Sequence, residues 1–327
     1  MKPSAPDQPG KTAKDHLPGL RFDFAAAARK AVKDHPEIAK NTVFVNAAND
    51  DFIASPRVMK ALDEDDDAFD ELQKTVRTAK RLKTSFSDTI HLDQKNFIKS
   101  VVFHTEKHPL YDRSNRSIDD VGTFDHETGH VLSPEAQGTA AENIADAYAV
   151  IRHFQRFDGQ ETDIAYAGWK RSLQFILSGQ TSHLTTFTVD KIITDSKTAN
   201  FVSLTPAETA AIAKDYAKTH TPDDQHLRVL ARTFRAARDK KPTEETLRRI
   251  AAITLRADPH SDIFYLGARA LMLPMNEGKA KYEGRNIVLR DTAFWDIVKQ
   301  KLDAKMAALP AVHPLRVTAV PAARAGG

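Results

Sequence analysis

At 327 residues, with 41% hydrophobic and 28% charged residues, the chain has a soluble globular balance and length for one large domain or two ordinary ones. Its 47 Lys and Arg against 44 Asp and Glu leave a formal +3, too small and too evenly spread to call for nucleic acid or an anionic membrane. The absence of cysteine excludes disulfides, thiolate metal sites and thiol nucleophiles. The N-terminus has Pro, Gly and charge where a secretory signal needs an apolar run, and no stretch approaches the ~20 apolar residues of a membrane span. A soluble, cytoplasmic protein is the expectation, although export without a cleaved signal would leave the same sequence.

Residues 1–19 read as a flexible, Pro-rich leader. Residues 20–40 place Phe22, Phe24, Ala28, Ala31 and Val32 at helical spacing, with Pro36 near the end. Thr42, Val43, Phe44 and Val45 give a short strand signal that stops at Asn46. Ser55-Pro56 then opens a helix whose apolar face runs through Met59, Leu62, Phe69, Leu72 and Val76. The acidic run at 63–67 resembles the start of a calcium loop. It lacks the Gly at the sixth position, and Lys74 stands where the twelfth-position Glu belongs, so it reads as a solvated turn. Residues 99–108 carry the strongest strand signal, and residues 111–120 read as a polar loop.

The helix expected from Val121 to about Leu132 contains His126, Glu127 and His130 in the pattern H-E-x-x-H. Positions i and i+4 share a helix face, so both imidazoles can reach one ion. Zinc held by two His and a carboxylate with an open fourth position is a catalytic arrangement. Glu127, beside the first ligand, is placed to act as general base toward a zinc-activated water. Ser133-Pro134 breaks the helix, Gly138 sits in the turn, and Thr139 can cap a returning helix that carries Glu142 and Asp146. Glu135 follows a Pro in a turn, and Asp125 projects from another side of the helix. Glu142 has the longer reach and is the expected third ligand. Asp146 then accepts a hydrogen bond from the distal nitrogen of a ligand imidazole, with an exchange of roles between these two as the rival assignment.

Downstream, residues 162–178 read as a helix with Trp169, Leu173, Phe175, Ile176 and Leu177, closed by Gly179. Four further helices are expected at 205–218, 222–239, 243–256 and 261–273, opened by Thr205-Pro206, Thr221-Pro222, Thr243-Glu244 and Ser261-Asp262. A last helix is expected at 292–309, followed by a loose Pro- and Ala-rich tail at 310–327.

His126-Glu127-x-x-His130 with Glu142-x-x-x-Asp146 resembles the gluzincin class of zinc metallopeptidases, and the ENIADAYA wording is similar to the ligand-bearing helix of several relatives. The gap of 11 residues between His130 and Glu142 is shorter than in the thermolysin type. The third His after a Gly that the metzincin class requires is absent. The resemblance implies an active-site helix, a return helix with the Glu ligand, and peptide-bond hydrolysis. Together with the residue patterns it gives an α+β, predominantly α-helical fold. In this reading a zincin-like catalytic domain occupies 20–204, with a small sheet and an active-site helix pair, and a helical subdomain follows at 205–309.

The sequence therefore leads to a zinc-dependent hydrolase, most simply a metallopeptidase acting on a peptide or protein substrate, with Zn2+ as its cofactor. Such chemistry also needs a donor to the developing oxyanion. His183, at a helix start after a turn, is the first choice, with Tyr148, His260, Tyr265 and Arg269 as alternatives. His153, about two turns past Asp146, reads as a surface residue, with a place in the outer shell of the site as the alternative. The strand at 99–108, upstream of the motif helix, is a candidate edge for pairing with an extended substrate, against the plainer reading of a core strand. Two other readings compete: hydrolysis of a non-peptide amide or small conjugate, and a catalytically silent zincin-like binding or scaffold protein. The retained base Glu127 speaks against the last.

Overall fold

The structure is a computed structural model that describes residues 22–92, 96–104, 113–157, 164–282 and 285–317. The chain forms two compact units, residues 1–131 and 132–327, taken in turn.

In the first unit, Asp23 accepts a hydrogen bond from the Ala26 amide (2.9 Å) and starts helix α1 (Phe24–Asp34). The expected helix at 20–40 ends there, because Pro36 opens a separate 3-10 turn over Pro36–Lys40. Strand β1 (Thr42–Asn46) is buried along its whole length. It lies between β2 (Asp51–Ala54), antiparallel to it, and β4 (Phe97–Phe103), parallel to it. Strand β3 (Phe86–His91) pairs antiparallel with β4, giving the order β2-β1-β4-β3. β4 is thus an interior strand, the plainer of the two readings of this segment and not the substrate-pairing edge; among the described residues the edges are β2 and β3. Residues 105–108 of that expected strand lie outside the described residues.

Alternation sorts β1 and β4 onto two faces. Val43, Val45, Ile98 and Val102 pack against Val58, Leu62, Leu72, Val76 and Ala79 of helices α2 (Pro56–Asp63) and α3 (Asp66–Leu82). The single helix expected after Ser55 is two helices. Asp65, in the acidic run, accepts from the Ala68 amide (2.9 Å) and so begins α3 as its N-cap. Phe69 is correspondingly outside the packed face, at 38% exposure. On the other sheet face, Phe44 and Phe103 meet Phe22, Phe24 and Phe124. The Phe124 ring lies 5.7–6.1 Å from those four rings. Phe124 belongs to α4 (Arg113–Val131), which packs on β3 and β4. The helix begins at Arg113, so most of the expected loop at 111–120 is helical.

The second unit is built around two helices. Ala147, Tyr148, Ile151 and Phe154 of α5 (Gly138–Arg156) pack with Val189, Ile192 and Ile193 of α7 (Thr186–Asp195) and with Phe201 and Ala213. Ala213 belongs to α8 (Pro206–His220). The second centre is α11 (Asp262–Glu277), buried from Phe264 to Pro274. It packs with α6 (Ala165–Ser178), α9 (Asp224–Thr233), α10 (Glu244–Arg256) and α12 (Thr292–Ala307). Gly179 ends α6 at φ +72°, and a Cβ there would fall 2.5 Å from the Arg238 guanidinium, so glycine suits both the backbone and the space. Two caps differ from expectation. Asp223, not Thr221, starts α9, and the Thr139 hydroxyl donates to the Thr181 carbonyl (3.2 Å) instead of capping α5. A hairpin of β5 (Lys279–Tyr282) and β6 (Arg285–Val288) had no expectation from sequence. The tail includes a short helix α13 (Pro314–Val317) whose Leu315 is buried in the core, so that part is packed.

One fully buried ion pair crosses this unit. Arg269 of α11 donates from Nε (2.8 Å) and Nη2 (3.1 Å) to Asp190 of α7, and the Tyr265 hydroxyl donates to the same carboxylate (2.8 Å). Gly168 of α6 lies against it: a Cβ would stand 2.2 Å from Asp190 Oδ1. The fold is α+β and mostly helical, with a small four-stranded mixed sheet and a hairpin among the described residues. No helix among the described residues is long and apolar enough to cross a membrane.

Candidate metal centre

The aromatic seat of Phe124 fixes the roll of α4 two residues before His126. The neighbouring Asp125 and Glu127 are buried, and Thr128 turns its hydroxyl back onto the Phe124 carbonyl (2.8 Å). One turn apart, the Nε2 atoms of His126 and His130 approach to 3.2 Å, with ring planes at 90°. Two imidazoles bound to one tetrahedral ion at about 2.0–2.1 Å put their nitrogens about 3.3–3.4 Å apart. The pair stands within about 0.2 Å of that spacing, at a distance a hydrogen bond between the two rings also gives. His126, His130 and Glu142 each offer a ligand atom, all within 4.8 Å of one another, and among the described residues no other group of His, Cys, Asp and Glu converges this way. Two nitrogen donors and one carboxylate are a set that zinc accepts.

Glu142 lies a turn inside α5, and a hydrogen-bonded network surrounds it. His183, in the 3-10 turn Thr181–His183, brings Nδ1 to 3.1 Å from Glu142 Oε2. Asp146, one turn further along α5, receives a two-pronged contact from Arg171 of α6, Nε to Oδ2 and Nη2 to Oδ1, both at 2.7 Å. The Thr185 hydroxyl adds a third bond to Asp146 at 2.5 Å. Arg171 also stands 3.7 Å from Glu142 Oε2 and 3.3 Å from His183 Nδ1. Asn143, fully buried between the two acids, donates to the Thr139 (2.9 Å) and Leu184 (3.3 Å) carbonyls and accepts from the Thr188 hydroxyl. These bonds tie α5 to the turn that carries His183.

The residues named from sequence thus meet in part. His126, His130 and Glu142 converge, His183 stands beside Glu142, and Glu127 is buried one residue after His126 on the same helix. Asp146 is not in the converging group; it takes Arg171 and Thr185 among its partners. Glu135 is exposed and pairs with Lys214 (3.2 Å). Of the alternative oxyanion donors, Tyr265 and Arg269 are spent on Asp190 in the core, and burial pushes the Tyr265 phenol well above its usual range. Tyr148 is buried in the α5 core, and His260 is exposed. His153 is buried and lies 4.5 Å from the Phe157 ring, which corrects the surface reading. Arg171, Thr185 and Asn143 had no role expected from sequence. The Asn of E-N-I-A-D was visible as a polar residue at a core position, but nothing local separates Arg171 from exposed Lys170 before it.

Comparison with protein-family models, curated proteins and solved structures gave no match to this chain.

Proposed function

We propose that the chain is a zinc-dependent hydrolase and that its substrate is a peptide bond. The observation that carries this reading is the convergence of His126 Nε2, His130 Nε2 and Glu142, with the two nitrogens close to the spacing of ligands to one ion. When bound, zinc supplies a Lewis acid that acidifies water and polarises a carbonyl. Glu127 follows a ligand position in H-E-x-x-H and is assigned as the base that takes a proton and later returns it to the leaving amine. His183, beside Glu142 and with its side chain 30% exposed, is the donor assigned to the developing oxyanion. In favour of a peptide over a small amide is β3, which ends the sheet among the described residues and packs on the helix that carries the motif. An edge strand can pair with an extended chain.

Zinc analysis of the purified protein, with digestion of a proteome-derived peptide mixture, tests the reading. Glu127→Gln is expected to keep its zinc and lose cleavage by a factor of about 100 or more. Equal cleavage by both proteins, or a wild type that binds no zinc, would overturn it.

A further inference from the structure

Glu142 and Asp146 are two carboxylates a turn apart on one helix face, yet only Glu142 belongs to the converging group. Something must hold the other back. Arg171 does so by position. Its Nε and Nη2 grip both oxygens of Asp146 at 2.7 Å, its Nη1 reaches His183 at 3.3 Å, and Nη2 stands 3.7 Å from Glu142. The Thr185 hydroxyl closes on Asp146 from the segment that also carries His183. A planar guanidinium with several donors can grip one carboxylate on two oxygens while still facing a second, which a single ammonium cannot.

We infer that Arg171 is a positioning residue that decides which carboxylate serves the ion: it retains Asp146 while its charge stands 3.7 Å from Glu142. The inference rests on the metal reading above. The function of the arrangement is selectivity. With one carboxylate and two imidazoles the site stays low-coordinate and favours zinc. With Asp146 released to join Glu142 it becomes richer in oxygen and better suited to ions such as Mn2+.

The test replaces the metal with Co2+, whose visible absorption is strong in four-coordinate sites and several-fold weaker at higher coordination. Wild type, Arg171→Met, Arg171→Lys and the double variant Arg171→Met/Asp146→Asn are compared after circular dichroism confirms that each is folded. Arg171→Met is expected to lower the Co2+ absorptivity at least threefold and to narrow the preference for Zn2+ over Mn2+ about tenfold. Removing the released carboxylate in the double variant restores the strong band, and Arg171→Lys falls between. A purely structural role for Arg171 would lower the melting temperature and leave the spectrum of the bound ion unchanged. That result overturns the inference while the metal reading stands. If Arg171→Met does not fold, Arg171→Lys decides, and a wild-type spectrum there overturns it. A wild type that binds no Co2+ overturns the metal reading, and this inference with it.

Discussion

Replacing Arg269 by Met isolates the cost of one buried charge. Both members of the Asp190–Arg269 pair are fully buried. Met fills much of the space of the Arg stem, so the cavity contribution is small. What remains is Asp190 without its guanidinium, holding one bond from Tyr265. Leaving one member of a buried pair costs about 3–5 kcal/mol, and the surviving Tyr265 bond places this case at about 3–4 kcal/mol. For a unit of this size each kcal/mol is worth roughly 2–4 °C, so its melting temperature should fall by about 6–16 °C. Urea unfolding followed by tryptophan fluorescence measures this directly. The chain has two Trp, Trp169 and Trp295, both in the second unit, so the signal reports that unit alone. Asp190→Leu/Arg269→Met should regain at least about 2 kcal/mol over the single variant, since an apolar pair of similar volume removes the stranded charge. A loss under about 1 kcal/mol in the single variant, or no recovery in the double one, would refute the reasoning. The result also bears on the site, because Gly168, against the ion pair, lies three residues before Arg171 on α6.

Metal linkage gives a second expectation: zinc at about 100 times its dissociation constant should raise the unfolding free energy by about 2.7 kcal/mol, and His130→Gln should erase the increment in a thermal melt. A third concerns acid stability. Burial, aided by Lys191, depresses His220, and burial, aided by His260, depresses His313, both below the usual 6.5. The unfolded chain then binds protons more readily than the native one, so these residues support the fold above pH 6.5 and that support is lost as pH falls below it. The urea midpoint should drop between about pH 7 and pH 5, and His220→Gln should shrink the drop. Finally, Asp65→Ala should cost about 1 kcal/mol by uncapping α3, while Asp67→Ala, in the same acidic run, should change denaturant stability by less than about 0.5 kcal/mol.

The helices were legible where local chemistry punctuates them. Thr205-Pro206, Thr243 and Ser261 stand at the starts of α8, α10 and α11 because a cap is a short-range bond between a side chain and the next turn. His126 and His130 could be paired from spacing alone for the same reason. The strands were harder. Asp51–Ala54 and Phe86–His91 are short and only partly buried, and they acquire their identity from partners on β1 and β4. The break before Asp65 was hidden by an apolar pattern that continued in helical phase across it. The surroundings of Glu142 were least legible. Arg171 and Thr185 come from other helices or their approaches, and a guanidinium turned inward is written no differently from one turned to water.

The parallel pairing of β1 with β4 also has a temporal side. Residues 42–46 gain their second neighbour only when residues 97–103 have been made, and everything between forms the crossover. A chain arrested on the ribosome before β4 emerges would hold a strand that is natively buried along its whole length with one flank open, a template for misassembly. The β1–β2 hairpin can form early, but it covers one side only. Fragments ending near residue 92 should therefore aggregate, whereas fragments that include residue 103 complete the sheet. The N-terminal unit is thus committed late in its own synthesis, by the strand that the motif helix then packs upon.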